Sequence, residues 1–154
     1  MTNSELIHNF YESFARGDAE AMINCYSSNI EFSDPAFGKL TGKDAKNMWR
    51  MLIGRNKGSI KITFKNIEAN EKKGSANWTA EYVFSQTGRK VINKIAASFE
   101  FENGKIIRHT DQFDLWKWSR QALGWKGFLL GWTGFMKSKI QKQTNHLLKS
   151  YSKQ

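Results

Sequence analysis

The sequence predicts an α+β fold, with N-terminal helices packed on a curved antiparallel sheet and a helical extension at the C-terminus. Three observations predict it. The N-terminal third repeats apolar residues at helical spacing. Residues 60–113 switch to alternation of apolar and polar side chains, in four runs separated by short turn signals. Residues 115–154 carry eight Lys and Arg and no acid, against sixteen and fourteen in residues 1–114. The boundary near Asp114 therefore divides a nearly neutral domain, 1–114, from a basic extension, 115–154.

Ser4 is expected to cap a first helix running to about Arg16, with Leu6, Ile7, Phe10, Tyr11 and Phe14 on its apolar side. Gly17 stops it, and Asp18 caps a second short helix with Met22, Ile23 and Tyr26 as its stripe. Asn29 to Ser33 reads as a short strand ended by Asp34-Pro35, and 36–42 as a loop. Thr41 and Asp44 offer a capping-box start to a third helix over about 43–53, burying Ala45, Met48, Trp49 and Leu52. Four strands follow. Ile60, Ile62 and Phe64 alternate with polar residues, as do Ala76, Trp78, Ala80, Tyr82 and Phe84. Val91, Asn93, Ile95, Ala97, Phe99 and Phe101 share one face of the third. Asn103-Gly104, a tight-hairpin signal, leads into the last.

Composition narrows the function. One domain of 154 residues with 14% aromatics has ample material for a core. The lone Cys25 excludes an internal disulfide and a Cys-rich metal site, and reads as a small buried hydrophobe on a helix. No apolar run follows the start and no stretch approaches the ~20 residues of a membrane span, so a cytoplasmic protein is expected. There is no phosphate-cradling loop, no dinucleotide-binding glycine motif and no zinc-type ligand spacing; neither cofactor nor metal is expected.

The last strand carries the most chemistry. In residues 104–116, GKIIRHTDQFDLW, alternation puts Ile107, His109, Asp111 and Phe113 on one face, with Arg108 on the other. Two titratable groups among apolar ones can have useful pKa values. A buried pair that satisfies itself is the plainer explanation. Asp34 before Pro35 has two readings as well: ordinary turn chemistry, or a pocket carboxylate. Asp114 is expected to cap the segment that begins at Leu115.

The order α-α-β-α-ββββ, with Ala-Arg-Gly-Asp between the first helices and Glu-Phe-Ser-Asp-Pro after them, resembles the NTF2-like superfamily. That group includes ketosteroid isomerase, SnoaL-type polyketide cyclases, limonene epoxide hydrolase and scytalone dehydratase. The segment FDLWKWSRQALGWKGFLLGW looks like an extension of uncharacterised SnoaL-like proteins. The resemblance implies a cone-shaped pocket between sheet and helices, and a homodimer through the outer sheet face. Asp34 matches the isomerase's general base. The isomerase's oxyanion Tyr falls at Phe10 and its protonated Asp at about Ala97, neither a donor, so a steroid isomerase mechanism is not implied. The SnoaL-like cyclases imply His109 and Asp111 as pocket acid–base groups. The epoxide hydrolase needs an Arg between two Asp, and Arg108 alternates to the wrong face.

The expectation is a cofactor-independent isomerase, cyclase or hydratase/dehydratase acting on a small hydrophobic carbonyl or polyketide-like compound. Asp111, His109 and Asp34 are its candidate catalytic residues, with Asn93 and Tyr82 beside them. Trp49, Trp78, Tyr26, Phe99, Phe113 and Phe10 are its candidate pocket wall. One alternative is a non-catalytic ligand- or partner-binding module. Another is peripheral attachment to an anionic membrane through the extension, whose four Trp precede a basic helix over about 136–151. Nucleic acid is not an expected partner, since no recognition motif is present.

Overall fold

The computed structural model describes residues 1–56, 58–124 and 134–153, the side chains of 134–136 apart. Helix α1 (Asn3–Ala15) starts at Thr2 rather than Ser4. Thr2 Oγ1 accepts the Glu5 N–H at 3.1 Å, and Glu5 Oε2 accepts the Thr2 N–H at 2.9 Å. That reciprocal cap needs an acid or amide three residues on, where Ser4 would meet Ile7. All five expected apolar residues of α1 are buried. Helix α2 (Ala19–Ile23) is capped as expected, Asp18 Oδ1 accepting from Ala21 N–H at 3.0 Å. Cys25 is buried just after it.

Strand β1 runs Tyr26–Asp34, longer than expected, so Tyr26 opens a strand rather than closing a helical stripe. The supposed loop 36–42 contains strand β2 (Gly38–Thr41), paired antiparallel to β1 with Asp34 opposite Gly38. Four residues are too few to display alternation. Helix α3 (Lys43–Arg55) starts from Gly42, with no side-chain cap, because Thr41 still belongs to β2. Its buried side includes Ala45, Met48 and Trp49, while Leu52 is only part-buried.

The meander is β3 (Lys61–Ala69), β4 (Lys73–Phe84), β5 (Arg89–Glu102) and β6 (Lys105–Gln112). At the β5–β6 hairpin Asn103 and Gly104 have φ of 52° and 74°, the positive pair that a two-residue primed turn requires. The sheet is unclosed, in the order β2-β1-β6-β5-β4-β3, and β1 lies parallel to β6. That one parallel pairing brings the end of β1 level with the end of β6, with Ser33 opposite Thr110.

A bulge corrects the expected face of β6. Glu100 pairs with Arg108 and Phe101 with Ile106, so Ile107 is an extra residue. Ile106, fully buried, therefore shares the inner face with His109 and Asp111, and Ile107 does not. Arg108 faces outward as expected, at 2.7 Å from Glu100 and 3.2 Å from Glu31.

Helix α4 (Leu115–Leu123) is capped by Asp114, which accepts the Lys117 N–H at 3.0 Å. It lies along β5, where Gln121 Oε1 accepts the Ile92 N–H and Gln121 O accepts from Arg89 Nε, both at 2.8 Å. Helix α5 spans Gly134–Ser152, longer than the expected 136–151. Ile140 and Leu148 are buried and Tyr151 is part-buried, while Leu147 stays exposed. Trp125 and Trp132 lie outside the described residues, with Gly127 and Gly131. No described helix is long and apolar enough to cross a membrane.

Candidate functional site

The inner face of β6 carries a chain of hydrogen bonds through the core. Trp49 Nε1–H donates to Tyr26 Oη at 2.9 Å, and Tyr26 Oη lies 2.7 Å from His109 Nδ1. On the other side of the ring, His109 Nε2 lies 2.8 Å from Asp111 Oδ1, which also accepts from Trp78 Nε1–H at 3.3 Å. Donor logic orients the protons. Trp can only donate and an ionised carboxylate can only accept. Tyr26 oxygen takes the Trp49 proton, so its own O–H points at His109 Nδ1. His109 then carries its hydrogen on Nε2 and gives it to Asp111. Both ring nitrogens are occupied.

Every member of this chain is buried; His109 is 0% and Asp111 3% exposed. His109 is walled by aromatic rings, with Phe99 at 4.5 Å, Phe32 at 5.1 Å, Phe10 at 5.4 Å and Trp49 stacked at 6.2 Å. A carboxylate this deep costs several kcal/mol unless its oxygens are paired. Two N–H donors on one oxygen meet part of that need.

Asp34 is held differently. Its Oδ1 accepts the backbone N–H groups of Phe37 at 2.6 Å and Ala36 at 2.9 Å. This is the turn chemistry of an Asp before Pro, so that reading holds for one oxygen. The residue keeps part of its surface open, but its carboxyl is closely surrounded. Burial pushes its pKa up to about 7, against the two N–H groups that pull it down, and the Asp111 charge adds to the rise. The ends of β1 and β6 thus place two carboxyls in each other's field.

Tyr11 escaped the sequence reading except as a core residue. Its ring is fully buried among Phe10, Phe64, Trp78 and Phe99. Its hydroxyl is buried and has no hydrogen-bond partner among the described residues. Burial lifts its pKa well above the phenol value, with Asp111 and then Tyr26 adding to the rise, so it remains a proton donor. A Tyr within an apolar helical stripe gives no signal that its oxygen faces polar groups.

Some expected neighbours are elsewhere. Asn93 pairs with Ala80, beyond the last residue of β6, which lies opposite Ala96, so it is not beside Asp111. Tyr82 Oη accepts from Trp118 Nε1 at 2.7 Å and belongs with α4. Phe113 is part-buried against the core. Trp49, Trp78, Tyr26, Phe99 and Phe10, expected as pocket wall, belong to one buried cluster. Two surface grooves, of about 440 and 860 Å³, run along α5; neither is lined by Asp34, His109 or Asp111. Among the described residues no cluster of His, Cys, Asp and Glu could hold a metal ion.

A family model of the SnoaL-like domain matches residues 7–109. No curated protein matches the chain. Among solved structures, a proposed polyketide cyclase from Pseudomonas putida KT2440 is similar, with 21% identity and a TM-score of 0.64 over 79% of this chain and 98% of that one. A proposed polyketide cyclase from Xanthomonas campestris pv. campestris has 21% identity and a TM-score of 0.62, over 77% and 94%. An LEH-like epoxide hydrolase of M. tuberculosis has 17% identity and a TM-score of 0.60, over 84% and 92%. At these identities the likeness is one of fold.

Proposed function

The chain belongs to the SnoaL-like domain family, and from that premise we propose a cofactor-independent acid–base enzyme for a small hydrophobic carbonyl or polyketide-like compound. One observation carries the reading: two neighbouring carboxyls are held differently, Asp111 by side-chain donors in the core and Asp34 by the backbone of its own turn. Asp111 is the proposed base, its Oδ1 supported by His109 and Trp78. Asp34, with a pKa of about 7, is the acid. Pairs held apart in this way divide the acid and base roles between them. His109 is a positioning residue, since both ring nitrogens are already engaged. Asp111 would remove a proton from carbon beside a carbonyl, or from water. Asp34 would protonate the developing oxygen, and the Tyr11 hydroxyl would donate a hydrogen bond to it. The Asp–Arg–Asp relay of an epoxide hydrolase is disfavoured, because Arg108 is committed to Glu31 and Glu100 on the outer face.

The test is solvent exchange. Small cyclic and aromatic ketones are incubated with the protein in D₂O, and loss of α-proton signal is followed by NMR. Asp111→Asn is expected to slow exchange at least ~100-fold, the usual contribution of a general base. Exchange that is absent with every ketone, or that survives Asp111→Asn, overturns the reading.

The buried His109, with both ring nitrogens engaged, favours a second reading, a non-catalytic binder whose core opens for a ligand. Native mass spectrometry of the freshly purified chain would reveal a retained small molecule. A homodimer through the outer sheet face belongs to both readings. Val83 and Ile92, 59% and 37% exposed on β4 and β5, are the apolar residues that such an interface would cover. Sedimentation equilibrium tests it, and a monomer at every concentration overturns it.

A further inference from the structure

The inference concerns Asp34 and rests on its reading as the site's acid, although its test does not. The turn after Asp34 is gripped from both sides. Its N–H groups at Ala36 and Phe37 point at Asp34 Oδ1. Its three successive carbonyls point the other way, at one face of α5. Gln141 Nε2 donates to Pro35 O at 3.0 Å, Thr144 Oγ1 to Ala36 O at 2.6 Å, and Asn145 Nδ2 to Phe37 O at 2.8 Å.

Residues 141, 144 and 145 are at i, i+3 and i+4, so a single helical face presents all three donors. Ile140 and Leu148, both buried, anchor that face at either end. Asn47 Nδ2 of α3 donates to Ser152 Oγ at 3.2 Å and ties down the end of the helix. Three side chains reading three consecutive backbone oxygens is more than packing requires. A helix that only covered apolar surface would need Ile140 and Leu148 alone. The match to the SnoaL-like domain ends at residue 109, so this face lies outside it.

We propose that Gln141, Thr144 and Asn145 are positioning residues for Asp34, and that α5 completes the acid half of the site by fixing the turn that carries it. With the carbonyls held, the Ala36 and Phe37 N–H groups stay directed at one carboxylate oxygen and water is kept from the turn. When the grip loosens, water reaches the carboxyl. Burial is the largest influence on this group, so its loss outweighs the weakening of the two N–H bonds. The groups that face Asp34 are those two amides and, across from β6, Asp111. The α5 lysines 139, 142 and 149 and His146 line the groove on the helix's outer flank.

The experiment follows the Asp34 carboxyl by ¹³C NMR titration in the full chain, with Asp34→Asn to assign the signal. Thr144→Val removes one donor at constant shape, Thr144→Ser restores it, and Gln141→Ala/Thr144→Val/Asn145→Ala removes all three. The wild-type midpoint is expected near 7. The triple variant should fall by at least ~1 unit, Thr144→Val by part of that, and Thr144→Ser should match the wild type. Amide exchange at Ala36 and Phe37 should quicken in the same order. This second measurement serves even if the triple variant is too unstable to titrate. Thr144→Val with an unmoved midpoint and unmoved exchange overturns the proposal. If Asp34 moves as stated while Asp34→Asn retains full ketone exchange, the positioning role stands and the catalytic role falls.

Discussion

Asp111 and Asp34 are the same chemical group supported in two different ways. Asp111 lies on a strand face in the core, and its donors are side chains, His109 and Trp78. Asp34 lies at a strand end, and its donors are the backbone of its own turn. Side-chain donors come from distant parts of the sequence and must be packed into place. Backbone donors come with the turn, but the turn must then be held, which here falls to α5. The contrast teaches that the support of a buried carboxyl depends less on how many N–H groups it has than on what keeps them and the water where they are.

The contrast breaks most severely at His109. His109→Ala opens a space among Phe10, Phe32, Trp49 and Phe99 and leaves Asp111 and Tyr26 without their shared partner. A loss of about 3–5 kcal/mol is expected in chemical denaturation, as for other broken buried pairs.

Asp34 gives the next effect, and its sign is opposite to that of most acids. The folded pKa, about 7, lies above the ordinary Asp value of 3.8. Between those values the folded state binds more protons than the unfolded one, so stability falls as pH rises. The change is up to about 4 kcal/mol, complete by pH 8. Asp34→Asn should flatten that slope and raise the melting temperature at pH 8. Activity that needs the acid form should decline through pH 7 as well. An unaltered stability profile in Asp34→Asn would contradict the assignment.

Tyr26→Phe sharpens the comparison from the middle of the chain. It strands Trp49 Nε1 and His109 Nδ1 together. About 2 kcal/mol of destabilisation is expected, with turnover reduced through the loss of support to His109. The smallest effect belongs to the outer face of the same strand. Arg108→Met removes two half-exposed ion pairs with Glu31 and Glu100. Little stability should be lost, and that small loss should fade in high salt.

Much of the fold was legible because local signals agreed with it. Asn103-Gly104 adopts the positive φ pair its sequence announces, and Asp18 and Asp114 cap the helices they precede. The candidate site was half legible. Alternation brought His109 and Asp111 together correctly, but it could not foresee the bulge at Ile107, which depends on the register of β5. It also put Asn93 beside them, when β6 ends too soon to reach it. Tyr26 read as helical stripe because its strand is half-exposed over Ser27 to Asn29 and shows no alternation there. The orphan hydroxyl of Tyr11 and the grip of α5 on residues 35–37 are tertiary facts with no local pattern at all. In Gln141, Thr144 and Asn145 the sequence shows three ordinary polar residues on a helix.

The parallel pairing of β1 with β6 has a consequence for how the molecule assembles. Phe32 and His109 sit opposite one another although 77 positions separate them, and the donors to residues 35–37 lie 106 to 108 positions further along. Contacts this distant form late, because closing such long loops carries an entropic cost before any contact repays it. During synthesis the meander can pair as it emerges, but β1 must wait for β6 and the Asp34 turn for α5. Refolding followed by Trp49 and Trp78 fluorescence should therefore precede protection of the Ala36 and Phe37 amides. The acid would be the last part of the site to acquire its protonation behaviour, which keeps the two carboxyls from acting as a pair until the whole chain is in place.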